Sequence, residues 1–100
     1  MTTIGELYKL FIENSGISTD SRNILPGSLF FALKGDHFDG NLFANDALKN
    51  GAAYAIIDNP QVNLSDRCIL VENTLHTLQE LAKLHRIHIR AKIIGITGSN

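Results

Sequence analysis

Ile4, Leu7, Tyr8, Phe11 and Ile12 recur at intervals of three and four, the spacing that gathers side chains on one face of a helix. Thr3 and Glu6 open that run three residues apart, so a hydroxyl and a carboxylate can each satisfy a free backbone N–H, and Gly16 supplies a stop. The pattern predicts a first helix with a structural role. The period then changes: Ser28 to Leu33 is a continuous apolar run between polar, glycine-punctuated turns, which predicts a buried strand. Asn41 is placed to cap a second helix through Lys49, Asn50-Gly51 ends it, and Tyr54 to Ile57 reads as the next strand. Asn59 to Asp66, rich in turn formers, reads as a loop before a further strand from Cys68 to Val71. A third helix over about Leu75 to Ile87 would bury Leu75, Leu78, Leu81 and Ala82, with His85 at its margin. Beyond it, Lys92 to Ile96 predicts a β-branched strand running into the glycine turn Thr97-Gly98-Ser99-Asn100. Helices that feed strands in this way give the rhythm of an α/β protein.

Composition narrows the function more than the fold. A chain of 100 residues that is 44% hydrophobic can bury one core without staples. The net charge of -1 makes no electrostatic case for nucleic acid or a membrane surface. Lys83, His85, Arg86, His88 and Arg90 do cluster, but no aromatic residues interleave with them, and positive charge complements a helix C-terminus. His85 and His88 lack a neighbouring carboxylate or cysteine that would complete a metal shell, so they read as solvated helix-end histidines and no metal site is expected. Cys68, the one cysteine, cannot make an internal disulfide and reads as a buried strand thiol in a reducing compartment. With no run long enough to span a bilayer and no signal-peptide pattern at Met1-Thr2-Thr3, the expected location is the cytoplasm.

The candidate chemistry brackets the Ser28 to Leu33 strand. In Thr19-Asp20-Ser21-Arg22 a hydroxyl and a planar guanidinium suit a phosphate, and Lys34-Gly35 repeats that logic at the strand's far end. Taken alone, Asp-Ser-Arg ahead of the Pro26-Gly27 turn is equally ordinary loop chemistry.

The whole series in order, namely Thr19 to Arg22, Pro26 to Gly35, Phe38-Asp39-Gly40, Gly51 to Ile57 and the terminal Thr97 to Asn100, resembles the N-terminal domain of the Mur ligases. These are ATP-dependent enzymes that build the peptide stem of bacterial cell-wall precursors. The resemblance covers essentially the whole chain. It implies a small three-layer α/β/α domain with a mixed or mostly parallel sheet of about four to five strands and three helices. It also implies two regions, residues 1–90 as the UDP-substrate-binding domain and residues 91–100 as the first strand and truncated phosphate loop of the central ATPase domain.

Within the family the run Phe31-Ala32-Leu33-Lys34-Gly35 is most like the ligase that joins D-alanyl-D-alanine to UDP-N-acetylmuramoyl-tripeptide. The ligase adding the third stem residue, and a free-standing nucleotide- or protein-binding module, remain the alternatives. By resemblance Thr19 and Ser21 contact the UDP group, and the loop Asp36, His37 and Phe38 holds the uracil. Gly35 precedes that loop, Arg22 and Lys34 are either diphosphate partners or solvated, and Phe38 either stacks on the base or anchors the loop in the core. ATP and Mg2+ belong to the full-length enzyme, whose phosphate loop would continue past Thr97, Gly98, Ser99 and Asn100. The sequence ends before the lysine of that loop, so the 100 residues are expected to be a fragment with no catalytic residue and no ATP turnover.

Overall fold

The computed structural model describes residues 3–62 and 65–98, with residues 90–98 as backbone alone. Helix α1, Ile4–Glu13, starts at the expected capping box: the Thr3 hydroxyl accepts from Glu6 N and the Glu6 carboxylate accepts from Thr3 N. Those hydrogen bonds hold the Glu6 carboxyl below its ordinary range. Gly16, at φ +118°, then turns the chain into strand β1, Ile17–Ser18, which is too short for any period to reveal. Strands β2 (Leu29–Phe31), β3 (Tyr54–Ile57) and β4 (Cys68–Leu70) fall within or on their predicted runs.

All neighbouring strands pair in parallel, in the order β1-β2-β3-β4, so the sheet has four strands. The register explains the two cores. Phe30 pairs with Ala55 and Ala55 with Cys68, and all three face helix α2, Ala44–Lys49, where Ala44 and Ala47, with Ala52 just past its end, permit a close approach. Phe31 pairs with Ile56, and both face Leu7 and Tyr8 of α1 and Leu81 of helix α3, Thr74–Gly98. Helices therefore cover both faces, which is the expected three-layer α/β/α arrangement and the reason the strands are apolar on both sides.

Four expectations are corrected. Asn41 does not cap the second helix: the Asp39 carboxylate caps a 3-10 turn at Gly40–Phe43 that leads into α2, and Asn41 is itself buried. The predicted stripe of α3 is rotated at its start, because Thr74 turns inward and donates to Ala32 O at 2.7 Å, which leaves Leu75 53% exposed; Ala82 is exposed as well. His85 is half-buried rather than solvated, with Nδ1 3.2 Å from the Tyr8 hydroxyl and its ring edge-on to Phe11. Lys92 to Ile96 continues α3 instead of forming a strand. A growing helix satisfies its backbone from within and needs no new nucleus, whereas a strand needs an edge to pair with. Thr97 and Gly98 are in that helix too, while Ser99 and Asn100 lie outside the described residues.

Candidate functional site

A cavity of about 690 Å3 opens at the C-terminal ends of β1 and β2. The crevice outside the carboxyl ends of parallel strands is where open α/β sheets place ligands, because the loops that follow the strands converge there. The first wall is the loop after β1, with Thr19, Asp20, Ser21 and Arg22; Phe38, Gly40 and Phe43 come from the segment after β2. Asp46, Lys49 and Asn50 of α2 and its cap close the far side, with Phe30 lining the interior.

The Thr19–Arg22 wall is held from both ends. At its base the buried hydroxyls of Ser18 and Ser28 lie 2.9 Å apart, and Ser18 Oγ also accepts from Leu25 N. At its tip the Asn50 side-chain amide donates to Ser21 O at 2.7 Å, which fixes the backbone and leaves the Ser21 hydroxyl uncommitted among the described hydrogen bonds. Arg22 folds back onto Asp20, with Nε and Nη2 at 3.2 and 3.3 Å from the two carboxylate oxygens. The pair lowers the Asp20 carboxyl and raises the Arg22 guanidinium, so both stay charged.

The second wall is a tight hairpin. Lys34 and Asp39 form an antiparallel bridge, and Gly35 N donates to Phe38 O at 2.9 Å. Gly35 lacks a Cβ that would collide with the Phe38 ring, so the ring lies over the turn, 58% exposed on the cavity wall rather than anchored in the core. Gly40 is required for a different reason: a Cβ there would sit 2.7 Å from Leu33 O and 2.8 Å from Leu33 N.

Of the expected UDP-site residues, Thr19, Ser21, Arg22 and Phe38 come together on the cavity, whereas Lys34, Gly35, Asp36 and His37 do not line it. Lys34 instead turns to Asp58, with Nζ 3.7 Å from Oδ1. Phe30, Phe43, Asp46, Lys49 and Asn50 were not anticipated. Phe43, Asp46, Lys49 and Asn50 do recur at helical spacing, but a polar stripe of that kind reads as a solvated face until the sheet position is known.

Behind the hairpin a polar knot joins the ends of three elements. Asn41 Nδ2 donates to Asp39 Oδ1 and Asp58 Oδ1, while its Oδ1 accepts from the amides of Asp58 and Asn59. Asp58 Oδ2 accepts from Thr74 N at the start of α3. Burial of Asp58 opposes its charge, but the Thr74 and Asn41 hydrogen bonds and Lys34 together hold its carboxyl below the ordinary 3.8. A depressed acid contributes stability that is intact above its unfolded value and is lost as pH falls through the folded one. The stability difference between the wild type and Asp58→Asn, read from urea midpoints, should therefore be constant above about pH 5 and shrink below about pH 4. A difference that does not change on acidification contradicts this.

The described residues do not form an ATP site. Thr97 and Gly98 belong to α3, where backbone amides serve the helix instead of a phosphate cradle, and the other two loop residues are not described. Among the described residues no three His, Cys, Asp or Glu side chains group to hold a metal ion, and no helix is long and apolar enough to cross a membrane.

Comparison with known proteins supports one family throughout. The family model described as Mur ligase family, catalytic domain, matches residues 13–86. The chain is 37% identical over 97 residues to the UDP-N-acetylmuramoyl-L-alanyl-D-glutamate--2,6-diaminopimelate ligase of Rickettsia typhi, covering 97% of this chain and 20% of that protein. It is 40% identical over 89 residues to the UDP-N-acetylmuramoyl-tripeptide--D-alanyl-D-alanine ligase of Bacillus subtilis, covering 85% and 19%. The crystal structure of MurF ligase from Thermotoga maritima in complex with ADP superposes with a TM-score of 0.63 at 36% identity, over 82% of this chain and 17% of that one. The chain thus spans about a fifth of the length of the curated relatives. With a family model matched over most of its residues and a parallel α/β fold shared with a solved member, the chain belongs to the Mur ligase family.

Proposed function

We propose that this chain is the domain that grips the UDP handle of UDP-N-acetylmuramoyl-tripeptide, within an ATP-dependent ligase that adds D-alanyl-D-alanine to peptidoglycan precursors in the cytoplasm. The observation that carries this reading is the cavity itself, which sets the hydroxyl-bearing Thr19–Ser21 loop opposite the exposed rings of Phe38 and Phe43. A uracil ring has a flat π face that an aromatic side chain can cover, and phosphate oxygens accept from hydroxyls. In this reading residues 1–90 hold the nucleotide end, and residues 91–100 lead into the domain that carries ATP and Mg2+. The contribution of these residues to amide formation is positional: binding energy collected at the nucleotide fixes where the distant carboxylate lies.

The relative from Rickettsia typhi, matched over 97% of this chain, favours a second reading, the ligase that adds the third stem residue. The two share the nucleotide handle and differ in acceptor. The enzyme encoded by the reading frame that contains these residues should form the amide with D-alanyl-D-alanine and UDP-N-acetylmuramoyl-tripeptide; product only from the dipeptide precursor and a diamino acid selects the second reading.

For the handle, an NMR titration of the 100-residue chain with UDP-N-acetylmuramic acid should move the amides of Thr19 to Arg22 and of Phe38. Ser21→Ala should weaken that binding by about 1 kcal/mol, the worth of one ordinary hydrogen bond, with the fold intact. Shifts confined to other surfaces at millimolar ligand overturn the assignment.

A further inference from the structure

We infer that Lys49, on the last turn of α2, is the cation that receives the diphosphate in this cavity, in place of Lys34 and Arg22. The inference rests on the UDP reading above and specifies which side chain meets its charged part. Three cations lie near the cavity, and their partners separate them. Arg22 is held on Asp20 by two hydrogen bonds, so recruiting it for a phosphate means breaking a closed pair. Lys34 is off the cavity wall and its ammonium is directed at Asp58, inside the polar knot. Lys49 lines the cavity and is exposed, and among the described residues no carboxylate lies within ion-pair distance of it.

The neighbourhood of Lys49 is arranged for the same end. Asn50, the next residue, donates to Ser21 O, so the hydroxyl-bearing loop is tied to the end of the helix that carries the lysine. A helix C-terminus ordinarily repels an anion through its free carbonyls. Here three of the last four are occupied: Asn50 N, Gly51 N and Ala52 N donate to Asp46 O, Leu48 O and Ala47 O. The Arg67 guanidinium adds a donor to Leu48 O and caps Ala52 O and Ala53 O. Asp46, one turn earlier on the same wall, opposes an anion and suits a hydroxyl or N–H donor, which puts the ribose or base at its level and the phosphates toward Lys49 and Ser21.

The test compares UDP with uridine, because the two differ only in the group that Lys49 is proposed to meet. With the 100-residue chain and binding followed by NMR, Lys49→Gln should weaken UDP about tenfold, the scale of one charge-assisted hydrogen bond, and leave uridine within about twofold. Lys49→Arg should retain most of the UDP affinity, added salt should erode the UDP advantage in the wild type, and Lys9→Gln on the outer face of α1 should change neither ligand. Equal loss of uridine and UDP in a folded Lys49→Gln overturns the assignment, as does a UDP-selective loss in Lys34→Gln or Arg22→Gln with none in Lys49→Gln. If neither uridine nor UDP perturbs the cavity of the wild type, the UDP reading fails and the lysine assignment fails with it.

Discussion

Replacing Asn41 with alanine should cost about 3–5 kcal/mol, a large part of what a domain this size has to lose. Asn41 is 1% exposed and satisfies four groups at once: the carboxylates of Asp39 and Asp58 on its amide nitrogen, and the amides of Asp58 and Asn59 on its oxygen. A primary amide can donate two hydrogen bonds from one end and accept two at the other with no net charge. Alanine strands two backbone N–H groups and removes donors from two acids, each loss costing about 1–3 kcal/mol where water cannot follow. Urea unfolding should show the midpoint falling without a change of slope. Asn41→Asp should be worse near neutrality, since it sets a third carboxylate against two, and should recover part of the loss in acid. A shift under about 1 kcal/mol for Asn41→Ala would mean that the knot is solvated and dispensable.

Phe30→Ala should match that loss and also weaken the proposed nucleotide binding. Phe30 is 1% exposed, belongs to the core between the sheet and α2, and also lines the cavity. Truncating a buried phenylalanine costs about 3–5 kcal/mol through lost transfer energy and the void left behind. In a domain of this size that is a drop in melting temperature of more than about 12 °C. Below the new midpoint the variant should fold but bind UDP ligands poorly, because Phe43, Asp46 and Lys49 ride on a segment packed against that ring's face of the sheet. Thermal melts and the same titration read both effects. A folded variant with unchanged affinity would show that the cavity wall does not depend on the core beneath it.

Local signals carried the elements that depend on local chemistry. The α1 stripe with its Thr3–Glu6 box, and the Tyr54–Ile57 strand, are legible because their causes lie within a few residues. The errors share a different cause. Asn41 looks like a solvated cap in sequence; its burial arises when β3 brings Asp58 and Asn59 back to it. Leu75 is exposed because Thr74 finds Ala32 O, forty-two residues away. Isoleucines at 93, 94 and 96 favour a strand only when an edge is available, and here the helix already under way continues through them. In the site, the phosphate-binding chemistry of Ser21 and Arg22 was visible as a turn-flanked polar pair of ambiguous meaning, while Thr19 and Phe38 entered through the family resemblance. The α2 wall was not, since helical spacing says which residues share a face and leaves open what that face meets.

The strand order in space is the order along the chain, and this bears on how the protein is made. Each strand leaving the ribosome finds its partner in the strand delivered just before it, so the sheet can be assembled one strand and one crossover at a time. The exception is the layer beneath. α1 emerges first, yet Tyr8 waits for His85, seventy-seven residues downstream, before its hydroxyl and ring are covered. Nascent chains that stop short of α3 should therefore show a paired sheet covered by α2 while the opposite face, with Leu29, Phe31 and Ile56, has α1 alone over it and stays partly open to chaperones.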